Sequence, residues 1–108
     1  MKAAAKVKIA LVLAGSLADG RKIARAVIKK RLAACVNIIR APVESIYRWK
    51  GKVAVGREYL LIIKTIADRM PQLQKEIRQL HGYHVPEIIT LPVDGGLAEY
   101  LAWVRESV

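Results

Sequence analysis

Apolar residues recur along this chain with two different periods, and the switch between them marks out the elements. Val7–Leu13 is a nearly unbroken apolar run, the pattern of a central strand. GSLADG follows as a turn in which Asp19 is placed to cap a helix. Ile23, Ala26, Val27 and Lys30 then recur at helical spacing, with Arg21, Lys22, Arg25 and Lys29 mostly on the other side. This predicts a first helix from about Gly20 to Leu32.

From Cys35 the period falls to two. CVNIIRAPVESIYRWK is rich in β-branched and aromatic residues, and Pro42 bends this second strand or puts it at an edge. Beyond the proline, Val43, Ser45, Tyr47 and Trp49 share one face, and Glu44, Ile46 and Arg48 the other. Lys50–Gly51 supplies a tight turn, and VAVGREYLLIIKT returns as the third strand of a long hairpin. Thr65 or Asp68 is placed to cap a second helix, with Pro71 in its first turn. Met70, Leu73, Ile77 and Leu80 form its apolar stripe, and Gly82 is placed to end it. Glu87–Leu91 reads as a fourth strand stopped by Pro92, and Leu97–Val104 as a short final helix.

The order is β-α-β-β-α-β plus a terminal helix, within one domain spanning residues 1–108. Right-handed crossovers fold it as an α+β, ferredoxin-like antiparallel sheet with both helices on one face. The first strand is apolar on both sides, and Leu60–Ile63 is unbroken, so the second sheet face also needs covering. The final helix is too short to cover it all, and the hairpin exposes edges and aromatics. A homo-oligomer whose hairpins pair between subunits is expected.

Composition changes this picture little. Hydrophobic residues make up 54% of 108, too many for a disordered chain, and no run is long enough to span a membrane. The N-terminal MKAAAKVKIALVLAG is interrupted by Lys6 and Lys8, so it reads as a frayed leader and a strand rather than a signal peptide. The lone Cys35 suits a reducing compartment, and a cytoplasmic protein is expected. The absence of Phe and a single Asn, Asn37, fit a thermostable protein. Net charge is +10, yet most Lys and Arg are spread along the sequence without interleaved aromatics, which argues against nucleic acid as a partner.

Candidate chemistry concentrates in LHGYHVPEIITLPVDGG, residues 80–96. His81 and His84 lie three apart with Glu87 three further on, a spacing open either to a metal site or to a turn entering a strand. Cys35 is either a buried, inert thiol or a nucleophile, and its apolar neighbours favour the first. No glycine-rich phosphate loop, G-x-S-x-G or H-E-x-x-H is present, so no catalytic residue is assigned and an enzyme is not expected.

Five blocks in register, RLAACVNII (Arg31–Ile39), SIYRWKGKV (Ser45–Val53), LLIIKT (Leu60–Thr65), HGYHVPEIITLPV (His81–Val93) and YLAWV (Tyr100–Val104), resemble the CutA divalent-cation tolerance family. The resemblance implies a ferredoxin-like homotrimer joined through hairpin strands and a role in tolerance of copper and other divalent cations, with Cu(II) or another divalent cation as a candidate ligand. It carries His81, Cys35 and Glu87 over as candidate metal ligands. Copper-associated members carry a cysteine ending the first strand and a histidine pair; this chain has Ala14 and Leu80–His81 there. Trwo further readings stand beside it: a sensor similar in build to PII proteins, binding a small molecule at inter-subunit clefts lined by Trp49, Lys64, Tyr83 and Glu87, and a trimer whose surface docks another protein.

Overall fold

The computed structural model describes residues 5–108; most of the expected leader lies outside the described residues. Strand β1 (Val7–Ala14) is followed by α1 (Leu17–Lys29), β2 (Cys35–Ile38), β3 (Val43–Trp49) and β4 (Lys52–Ile66). A 3-10 turn (Ala67–Arg69) leads into α2 (Met70–Leu80), then β5 (Ile88–Pro92) and α3 (Ala98–Glu106). The sheet runs β2–β4–β1–β5 with every neighbouring pair antiparallel, and β3 continues alongside the first half of β4. This is the ferredoxin-like arrangement.

The pleat sends alternate residues to opposite faces. Ala10, Val12, Leu61 and Ile63 point under α1 and α2 and form the main core with Ile23, Val27, Leu73 and Ile77. Fully burying such an aliphatic side chain contributes about 1.5–3 kcal/mol. Leu11 and Leu13 point the other way and are only half-buried. They pair in register with Ile62 and Leu60, so one bare face carries all four. Ile89 and Leu91 extend that face across β5. Helix α3 covers only one end of it, where Val104 and Val108 meet Val7 and Ile66. The apolar character of both faces of β1 therefore reflects a sheet with one helical layer and one incomplete one.

Local signals decide the element ends, and several differ from expectation. Ser16, not Asp19, caps α1: its side chain accepts the Asp19 backbone N–H at 3.1 Å, which starts the helix three residues earlier than predicted. The helix closes in a Schellman turn. Leu32 N–H bonds to the Val27 carbonyl, Arg31 N–H bonds to the Ile28 carbonyl, and Arg31 adopts φ 57. Neither Thr65 nor Asp68 caps α2. Thr65 is inside β4, fully buried, donating to the Leu32 carbonyl at 2.7 Å. Helix α2 ends at His81, which turns extended at ψ 140, rather than through a left-handed Gly82. The expected second strand is two, β2 and β3, with Pro42 in the gap where its missing N–H costs no ladder bond.

Beyond Glu58 the β3–β4 hairpin leaves the body as a two-stranded arm, and the molecule measures 47 × 26 × 24 Å. Lys50 and Gly51 both take positive φ (50 and 78) at its tip, as a two-residue primed turn requires. Ile46 and Val55 face each other on the arm at 66% and 64% exposure. A two-stranded ribbon has no second layer against which to bury them.

Candidate functional site

The turn after α2 is built around His81. Tyr83 N–H donates to His81 Nδ1 at 3.0 Å, so the ring proton sits on Nε2, which donates to the Leu13 carbonyl at 2.6 Å. Both ring nitrogens are thus engaged, and the imidazole joins the end of α2 to the end of β1. The Tyr83 ring lies 4.6 Å from the imidazole, centroid to centroid. It also lies against Gly15, where an added Cβ would come within 3.3 Å of the phenol. A side chain at Gly15 would push the ring by a few tenths of an ångström.

The Tyr83 hydroxyl reaches the root of the arm. Partial burial, and then the negative charge of the nearby Glu58 carboxylate, push the phenol above its ordinary value. Tyr47, whose ring lies 3.5 Å from the position of a Cβ on Gly56, and Asp19 at the start of α1 add to the same effect. The cluster brings a neutral phenol close to a carboxylate where the loop meets the root of the arm. Glu58 escaped the sequence reading because it lies 25 residues from Tyr83 with no local pattern linking them. His84 and Glu87 lie exposed beyond the turn.

A second polar group sits in the bare sheet face. Cys35 pairs in register with Lys64, and Asn37 with Ile62. Lys64 Nζ donates to Asn37 Oδ1, and Cys35 Sγ lies 3.8 Å from the same oxygen. Cys35 is therefore half-buried rather than the buried thiol expected, because α3 covers only one end of its face.

The predicted site residues thus fall into separate places. His81 and Tyr83 are in contact, but Cys35 is four residues along β4 from the level of Leu13, about 13 Å away along the strand. Among the described residues no three His, Cys, Asp or Glu side chains gather as a metal site. His81, Cys35 and Glu87 therefore do not fit a chelating centre within one chain. Trp49 sits at the arm tip, 61% exposed, with Lys50 Nζ 6.0 Å from its ring. It is opposite Lys52, and so about 40 Å along β4 from Lys64. Trp49, Lys64, Tyr83 and Glu87 cannot line one cleft within a single protomer.

Residues 8–107 match the family model described as CutA1 divalent ion tolerance protein. The chain is 44% identical over 100 residues to the divalent-cation tolerance protein CutA of Thermus thermophilus, covering 93% of this chain and 96% of that protein. It is 50% identical over 86 residues to the human protein CutA, covering 80% of this chain but only 48% of that longer protein. The crystal structure of CutA1 from Oryza sativa superposes with a TM-score of 0.93 at 38% identity, covering 97% of this chain and 95% of that one.

Proposed function

Since the chain belongs to the CutA1 divalent ion tolerance family, we propose that it acts as a cytoplasmic homotrimer in the response to divalent cations, copper among them. Family membership is the observation that carries the cation-tolerance reading. The trimer rests on the bare sheet face and the arm. Leu11, Leu13, Leu60 and Ile62 line a face that α3 covers at one end only, and the exposed Ile46 and Val55 gain a cover if the arm crosses a neighbouring sheet. Cation contacts then belong to the seams between protomers, where the exposed Glu87 of one chain meets groups of another, rather than to a closed cage in one protomer; His81, whose two ring nitrogens are both engaged, is left out of the ligand set.

Light scattering gives the mass, and Cu(II) titration by calorimetry gives the binding. The expected result is a mass of three chains and a weak Cu(II) affinity that falls in Glu87→Ala. A folded monomer at micromolar concentration refutes the assembly; equal Cu(II) affinity in wild type and Glu87→Ala removes that residue as a ligand.

One observation favours a small anionic ligand at the same seams. Lys64 is a charged side chain in an otherwise apolar part of the bare face, held by the Asn37 amide oxygen alone among the described residues. With Trp49 arriving on a neighbour's arm, it would form an apolar cleft with one fixed cation. Melting shifts produced by anionic metabolites and abolished by Lys64→Ala support this reading. Shifts produced by metals alone refute it.

A further inference from the structure

The fold gathers charge that the sequence scatters. Residues 17–31 and 67–80, which comprise α1, α2 and their flanking turns, hold nine of the nineteen Lys and Arg but three of the nine carboxylates. They carry +6 of the chain's +10 in about a quarter of its length. Helix α1 buries Gly20, Ile23, Ala24 and Val27, which turns Arg21, Lys22, Arg25 and Lys29 outward together. None of these four has a carboxylate partner among the described residues; the ion pair there, Lys30–Glu76 at 2.9 Å, instead ties α1 to α2. Lys75 and Arg78 continue the field on the exposed side of α2.

We propose that this helical face binds the phosphate backbone of a duplex nucleic acid without reading its sequence. The four α1 cations run along about 12 Å of helix axis, a length over which one duplex strand presents about four phosphates. Three of the six named cations are arginines, whose planar fork suits phosphate oxygens. Helix α2 packs beside α1 and keeps it from entering a groove deeply, so base edges are not reached. An anionic membrane is the weaker fit, because Ile28 is the only large apolar side chain exposed on α1 or α2 that could insert. An acidic protein is also a weaker fit, since the face has no exposed aromatic anchor. The face stays outside however the bare side of the sheet is covered, since the two lie on opposite sides of it. The inference is therefore independent of the proposed cation role.

The test uses the intact protein and a fluorescein-labelled 20-base-pair DNA duplex, read by anisotropy from 50 to 200 mM KCl. Four neutralised phosphates give a log–log salt slope of about −3.5, so affinity falls roughly 100-fold across that range. Arg21→Gln/Arg25→Gln/Lys29→Gln is expected to weaken binding at least tenfold at 50 mM and to flatten the slope by about 3. Lys6→Gln/Arg40→Gln/Arg57→Gln removes the same charge elsewhere and is expected to change affinity less than threefold. The proposal is overturned by absence of binding at 50 mM KCl, or by equal losses from the two triple variants. Tighter binding to vesicles with 30% phosphatidylserine than to duplex, per phosphate, overturns it as well.

Discussion

His81→Ala tests the architecture of the 81–83 turn directly. The substitution removes the donor to the Leu13 carbonyl at 2.6 Å, the acceptor for Tyr83 N–H at 3.0 Å, and a ring contact at 4.6 Å. Each hydrogen bond contributes a net of about 0.5–1.5 kcal/mol; the Tyr83 bond belongs at the low end because water replaces it at an exposed residue. The tilted ring pair adds about 0.5–1.5 kcal/mol. The expected loss is about 2 kcal/mol, or roughly 10 °C in Tm for a domain this size. Urea unfolding followed by circular dichroism, at fixed protein concentration and with metal removed by chelator, measures it. His81→Gln keeps one donor and one acceptor and is expected to recover about half of the loss. A loss below about 0.5 kcal/mol in His81→Ala would mean that the ring holds nothing together, and the site would have to be reread as an uncommitted ligand.

Three further outcomes are expected. Arg31→Gly relieves a left-handed conformation that costs an L-residue about 1–2 kcal/mol, partly offset by the greater freedom of glycine when unfolded, so a net gain of about 0.5–1 kcal/mol should appear as a higher urea midpoint. Ser16→Ala should cost about 1 kcal/mol through loss of the α1 cap, whereas Asp19→Ala should cost less because its backbone, not its carboxylate, makes the capping bond. Tyr83 has a folded pKa above its unfolded value near 10.0, so its contribution to stability is complete below that pH and drains away as pH rises through the folded value. Urea midpoints between pH 8 and 11 should show that alkaline loss in wild type and a smaller one in Tyr83→Phe.

Periodicity made most of the fold legible. The stripe Met70, Leu73, Ile77 is the buried side of α2, and the Lys50–Gly51 turn falls at the arm tip. The α1 start was misplaced at Asp19: Ser16, three residues earlier, accepts the Asp19 backbone N–H, and that spacing was the signal to read. The polar sites were less legible, because they join residues distant in the chain. Glu58 lies close to Tyr83 because the turn after α2 folds back over the root of the arm, and Lys64 meets Asn37 through strand register. The cationic face was hidden for the same reason, since its members belong to two helices separated by about 40 residues of strand and turn.

Strand β4 belongs half to the body and half to the arm, and Glu58, close to Tyr83, stands where one passes into the other. The free half, Lys52 to Glu58, is about 20 Å long. A 10° change in direction at the root therefore carries Trp49 through about 3.5 Å. A small displacement beside the phenol and carboxylate at the root is thus magnified at an indole about 20 Å away.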